Sequence, residues 1–185
     1  MKCLAIFAAA GVLAATPAIA SPEKAELVTL PAPPAGKAQM VFFRKGGMVG
    51  AAISCAVSEA GAKVSSLPPA RFFVVVTEPG RHTYTVSSEA KDELFVDLKA
   101  GETQYAKCSV AMGIMAGRPK LEVATAAEFT SKMWKSVTAD RMTANVLTDE
   151  QIQTALAAQA AANAAAAPAP AAAAPLETAA TPAAR

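Results

Sequence analysis

The sequence predicts an all-β fold: an antiparallel β-sandwich of about seven to eight short strands, followed by C-terminal helical segments and a disordered Ala/Pro-rich tail. Three observations lead there. Between Gly36 and about Ala124, short apolar runs recur, each closed by glycine or proline. Several alternate strictly, as where Leu94, Val96 and Leu98 are interleaved with Phe95, Asp97 and Lys99. Beyond residue 125 the apolar spacing lengthens towards a helical period, and beyond 166 little but alanine and proline remains.

Residues 1–20, MKCLAIFAAAGVLAATPAIA, read as a signal peptide. Lys2 supplies the positive start, Leu4 to Ala15 the apolar run, and Ala18-Ile19-Ala20 a small-residue cleavage site after the helix-breaking Pro17. The run is shorter than the roughly 18 to 20 residues that cross a bilayer. Cleavage near Ala20-Ser21 is expected to leave the mature chain in the periplasm or outside the cell, with no transmembrane span. Cys3 precedes the apolar run and so is not placed as a lipid acceptor. The internal Lys91-Asp92-Glu93-Leu94 spells a retention signal that is read only at a C-terminus; here it opens a strand.

Residues 21–35 carry four prolines and form an extended lead-in. A β-sandwich domain over 36–125 then begins with Gln39–Arg44. Ala51–Ser58 follows, with Ile53, Cys55 and Val57 on one face, and then Lys63–Leu67. Phe72–Val76, FFVVV, is apolar on both faces, which calls for cover on both sides. His82–Ser87, Leu94–Leu98, Thr103–Met112 and Lys120–Ala124 complete the strands. Glu78-Pro79-Gly80-Arg81 has type II turn chemistry, with proline where φ is near −65° and glycine where φ is positive. Lys99-Ala100-Gly101-Glu102 places glycine at the same turn position.

Phe129, Met133 and Val137, spaced by four, predict a short packing helix over 126–138 that lays Met133 or Trp134 on the sheet edge. Thr148 and Gln151 form a capping box for an alanine-rich helix over 148–166, whose apolar face offers Ile152 and Leu156. Residues 167–185 hold too little apolar surface to offset the entropy of ordering them and are expected to be a disordered tail.

The segment from Lys37 to about Glu122 resembles a bacterial family known only as a domain of unknown function, whose members are small secreted or lipid-anchored envelope proteins. The resemblance rests on Pro34-Ala35-Gly36-Lys37-Ala38 leading into Phe42-Phe43-Arg44, then Phe72-Phe73-Val74, Pro79-Gly80-Arg81-His82-Thr83 and Ser88-Glu89-Ala90. It continues in Met112-Gly113 and Gly117-Arg118-Pro119-Lys120-Leu121-Glu122. It implies a compact β-sandwich in the cell envelope and assigns no activity. The chain departs from the lipid-anchored members in lacking their acceptor cysteine.

Charge and composition narrow the function. Lys+Arg 17 against Asp+Glu 15, with opposite signs alternating through the middle of the chain, provides no clustered positive surface for nucleic acid. The 53% hydrophobic content is inflated by alanine, and aromatics at 5% point to a small core. Without the leader, Cys55 and Cys108 remain. Cys55 shares strand parity with Ile53 and Val57, and Cys108 with Ala106 and Val110, so both face the core and can bridge two sheets. The alternative is two buried thiols more than about 7 Å apart.

One histidine and no close cluster of Cys, His and Asp leave no zinc set, and Glu89, Asp92, Glu93 and Asp97 read as a solvated face rather than a calcium loop. His82, beside the turn and in parity with Tyr84 and Val86, reads as a turn and strand-start residue that caps a carbonyl or packs on the sheet. No G-x-S-x-G elbow accompanies it. The Arg44-Lys45-Gly46-Gly47 loop can contact an anion, or be an ordinary exposed turn. No catalytic residue, metal or cofactor is therefore expected. The leading expectation is a non-enzymatic binding or structural module with an envelope protein or cell-wall partner. The alternatives are a periplasmic hydrolase acting through His82 and a lipid or small-ligand carrier with a cavity lined by Phe42, Phe72 or Phe95.

Overall fold

The computed structural model describes residues 26–48, 50–88, 90–113 and 117–166. The expected signal peptide, the start of the lead-in and the expected tail lie outside them. Among the described residues, ten strands build two sheets. The larger contains β1 (Glu26–Leu27), β2 (Ala38–Arg44), β5 (Arg71–Thr77), β8 (Thr103–Ala111), β9 (Arg118–Ala124) and β10 (Met133–Ser136), in the order β1-β10-β5-β2-β8-β9. The smaller contains β3 (Cys55–Glu59), β4 (Ala62–Leu67), β6 (Gly80–Ser87) and β7 (Lys91–Leu98), in the order β4-β3-β6-β7. Strands β2 to β9 fall where the sequence places its eight, except that β3 begins only at Cys55 because residues 51–54 belong to the preceding turn, and the chain folds as an all-β sandwich.

The sheets are not wholly antiparallel. β8 runs parallel to β2, with Gln39–Phe43 beside Thr103–Lys107, and β10 runs parallel to β5. The path of the chain explains the first pairing. After β2 it crosses to the small sheet for the β3–β4 hairpin, returns as β5 antiparallel to β2, and crosses again for the β6–β7 hairpin. The turn after β7 then meets the start of β2: Gly101 N donates to Lys37 O at 2.7 Å and Gln39 N to Glu102 O at 2.9 Å. β8 thus starts where β2 starts and takes its remaining side. Gly101, at φ +79°, has the left-handed conformation that the turn demands.

β2 is buried along its whole length, and β5 through Phe72–Val75. Side chains of alternate parity enter two different cores. Met40, Phe42, Phe73 and Val75 face the small sheet, where Phe42 stacks on Phe73 at 5.0 Å and receives the edge of Tyr84 at 4.9 Å. Val41, Phe43, Phe72 and Val74 face the other way, beneath Phe129, Trp134 and Ile152. Phe43 meets Trp134 at 5.1 Å and Phe72 meets Phe129 at 5.4 Å. The large sheet is therefore a middle layer, as the two-faced FFVVV run requires.

The helix expected over 126–138 needs correction. Helix α1 spans Ala126–Thr130 only, started by a capping box between Thr125 and Glu128, and Met133–Ser136 is strand β10. The cause is the open edge of β5, whose backbone groups need partners. β10 sets Lys135 and Ser136 opposite Arg71 and Phe72, and Val137 N donates to Phe72 O at 2.9 Å. Strand alternation then buries Trp134, whose Nε1 donates to Phe129 O at 2.7 Å, and leaves Met133 61% exposed. Phe129 and Val137, read as one helical face, enter opposite cores.

Both open sides of the sandwich are closed. On one, residues 137–147 lie across the edges of β4 and β5: Thr143 N donates to Val64 O, Val76 N to Asn145 O and Leu147 N to Val74 O. On the other, Asp92 of β7 accepts from Leu121 N of β9 at 2.8 Å. Helix α2 (Asp149–Ala166) begins at the expected box, Thr148 N donating to Gln151 Oε1 at 2.8 Å and Gln151 N to Thr148 Oγ1 at 3.3 Å. It docks through Ile152, and Ala32 of the lead-in donates to Gln159 Oε1 at 3.0 Å. The lead-in is not wholly free of sheet structure, because Glu26–Leu27 pair with β10 as β1.

Cys55 on β3 and Cys108 on β8 are bonded, with Cα atoms 6.6 Å apart, so the disulfide joins the two sheets as strand parity predicts. It closes a long loop, with a sequence separation of 53. On a chain-entropy reckoning, replacing both cysteines by alanine should lower the unfolding free energy by about 4 kcal/mol, read from urea melts. An unchanged midpoint would mean that the sheets need no covalent tie.

Candidate functional site

Two places gather polar chemistry. The first surrounds His82 on β6. Its Nδ1 lies 2.5 Å from Glu59 Oε1 at the end of β3, and its Nε2 lies 2.8 Å from the backbone carbonyl of Glu78. Its ring stacks on Tyr84, centroids 6.1 Å apart. Gly80, at φ +134°, opens β6 opposite Leu98, and His82 two residues on reaches back to Glu78 O. The carbonyl-capping role read from the sequence is present. Glu59 is an addition, brought in by the Ser58–Thr85 and Glu59–Tyr84 pairing of β3 with β6.

Both partners of His82 are hydrogen-bond acceptors when Glu59 is ionised, so only the doubly protonated ring donates to both. Among the described residues no serine, threonine or cysteine is hydrogen-bonded to this ring. The arrangement ties the end of β3 to the turn before β6. Below it, Tyr84 is fully buried and its hydroxyl has no hydrogen-bond partner among the described residues. Burial, and after it the charge of Glu59, holds this phenol well above its ordinary value.

The second place is the end of the sandwich where β2 stops. Arg44, read from the sequence as part of an exposed turn or an anion-contacting loop, is 3% exposed and points inward. Its guanidinium donates to the carbonyls of Ile53, Leu67 and Gly50, the last at 2.7 Å, and burial pushes its pKa down. Arg44 thus holds the 45–54 loop to the body. A cleft of about 360 Å³ opens above it, with Lys45 to Met48 on one side and Lys107 to Val110 on the other. Lys107 is shared with Glu128 at 3.1 Å and Glu122 at 3.9 Å. The hydrogen bond from Lys107, then that from Thr125 N, holds the Glu128 carboxyl below its usual range.

The other sequence candidates do not converge. Phe42 lies between the sheets, Phe72 beneath the helices, and Phe95 is 65% exposed, so the three line no common cavity. Asp92 is held by Leu121 N and Glu93 pairs with Lys91 at 2.6 Å, while Glu89 lies outside the described residues. Among the described residues, no group of three or more His, Cys, Asp or Glu side chains is placed to hold a metal ion. No described helix is long and apolar enough to cross a membrane. No family model, curated protein or solved structure matches the chain.

The His82 tie should contribute modestly: His82→Ala is expected to cost about 1 to 2 kcal/mol in a urea melt, and an unchanged midpoint would show that the ring holds nothing. Tyr84→Phe should act in the opposite sense. Deleting a buried hydroxyl without a partner should raise the melting temperature by about 3 °C at neutral pH. The folded chain keeps this phenol protonated beyond the ordinary value of 10.0, at which the unfolded chain releases its proton. Wild-type stability is thus full below that pH and declines above it, and the phenylalanine variant should lose that part of the decline. A lower melting temperature for Tyr84→Phe would show that the hydroxyl is satisfied.

Proposed function

We propose that this chain is an exported, non-enzymatic β-sandwich of the bacterial cell envelope, acting as a binding or structural module. The observation that carries the reading is the Cys55–Cys108 disulfide, whose two buried cysteines join the sheets. Such a bond persists in oxidising compartments and is rare in reducing ones. The signal-peptide pattern of residues 1–20 and the resemblance of 37–122 to an envelope family support the same location. The engagement of both His82 nitrogens in ties between elements supports a structural rather than a catalytic role for that residue.

Two measurements in cells test the two halves of the proposal. Thiol trapping without reductant should leave Cys55 and Cys108 unmodified in a mature chain that starts near Ser21. A cytoplasmic chain that keeps residues 1–20 and carries free thiols would overturn the location. Cross-linking in intact cells should capture a specific envelope protein or cell-wall component, and a protein recovered solely as uncross-linked monomer would overturn the role as a module.

A further inference from the structure

β3 is tied to the rest of the sandwich at both ends, by two different means. At its start the Cys55–Cys108 bond reaches β8. At its finish Glu59 reaches His82, and the other side of that ring reaches the carbonyl of Glu78. Glu78 and Pro79 are the two residues by which the chain crosses from β5 in the large sheet to β6 in the small one. The ring thus joins the end of β3, the start of β6 and the crossing that leaves β5. The disulfide is fixed once formed, whereas the second tie depends on a proton.

The two ring nitrogens face two acceptors, Glu59 Oε1 at 2.5 Å from Nδ1 and Glu78 O at 2.8 Å from Nε2. A doubly protonated imidazole donates to both. A neutral one donates to one and turns a lone pair towards the other. The ionised carboxylate is the stronger acceptor, so the neutral ring keeps its proton on Nδ1 for Glu59. Nε2 then opposes the Glu78 carbonyl, lone pair against lone pair, and that contact is lost. Burial opposes charge on the ring, whose side chain is 13% exposed. The carboxylate of Glu59 and the second hydrogen bond favour it.

The groups around the ring are otherwise uncharged or already engaged. On β6 it stacks on Tyr84, whose phenol burial keeps protonated well above the ordinary value. On β7 the residues of the same face are Leu94, Val96 and Leu98, while Glu93 and Asp97 alternate to the exposed face, as Arg81 does on β6. β2 turns Ala38 and Met40 to this core, and Lys63 of β4 stands opposite Ser58 rather than Glu59. At the crossing, the Glu78 carboxylate is paired with Lys37. In the adjacent turn Glu102 accepts from Gln104 Nε2 at 2.9 Å and from Lys99 N at 2.8 Å. His82 is the single histidine of the chain, and Cys55 and Cys108 are bonded. Between about pH 5 and 8 the imidazole is therefore the side chain that changes charge by its ordinary chemistry.

We propose that His82 is a pH-sensitive latch: protonated, it fastens the end of β3 to the β5–β6 crossing, and neutral, it releases the crossing while Glu59 stays bound. The latch is a property of the fold and does not rest on the reading of the chain as a binding module. Its contribution to stability is full where the imidazole is charged and is lost as pH rises through its titration. The test is a series of urea melts of the untagged mature protein between about pH 5 and 8, beside His82→Gln, with circular dichroism to show the variant folded. The wild-type midpoint should fall by about 0.5 M urea across that range, and the His82→Gln midpoint should stay level. Glu59→Gln, which keeps an acceptor but removes the charge, should shrink the fall. A wild-type midpoint that stays level or rises with pH, or an equal fall in His82→Gln, overturns the proposal. Nitrogen-15 spectra of the wild-type ring give a reading that needs no variant. Both nitrogens should carry protons at the acid end, and Nε2 should be bare at the alkaline end. A ring that loses its proton from Nδ1, or stays singly protonated throughout, overturns the latch.

Discussion

Everything in this fold follows from two adjacent strands that are apolar on both faces. Phe42 and Phe43 are consecutive, point in opposite directions and are both fully buried. Phe72 and Phe73 repeat the arrangement on β5, the antiparallel neighbour. Each buried aromatic side chain contributes about 2 to 3 kcal/mol of transfer free energy, so exposing either face would remove much of the net stability of a small domain. One sheet covers one face. Segments distant in sequence must cover the other, and α1, β10 and α2 supply Phe129, Trp134 and Ile152 for the purpose. The polar residues near the ends of β2 then act as tethers. Gln39 Nε2 donates to Pro31 O and Thr103 Oγ1, and Arg44 fastens the loop at the opposite end.

What could be read from the sequence was what depends on near neighbours. Alternation located β7 and glycine located the turn at Gly101, while Gly80, read as the third residue of a type II turn, opens β6. Thr148 and Gln151 marked the start of α2 because a capping box is complete within four residues. Parity alone placed Cys55 and Cys108 in the interior. The parallel pairing of β2 with β8 was not legible, since nothing in either strand specifies the direction of its neighbour. The spacing of Phe129, Met133 and Val137 suited a helix, but the open edge of β5 offered backbone partners that a local pattern does not include.

The site residues divide along the same line. His82 was legible as a turn residue because Glu78 O is four positions away, whereas Glu59 reaches it only through the β3–β6 pairing. Arg44 looked like a loop cation because two glycines closely follow it. Its inward course depends on carbonyls at Gly50, Ile53 and Leu67, which converge only once the chain is folded. The packing at that end was hidden for a similar reason: Gly50 and Gly117 are far apart in sequence, and meet only across Val110.

The closure of β5 by residues 133–147 has a consequence for how the chain is made. Until that segment leaves the ribosome, β5 presents an unpaired edge and the Phe43–Phe72 face lacks its cover. Pairings as distant in sequence as Gln39 with Thr103 and Arg71 with Lys135 also carry a large loop-closure cost before any contact rewards them, which slows folding. The domain is thus built to stay incomplete through most of its synthesis.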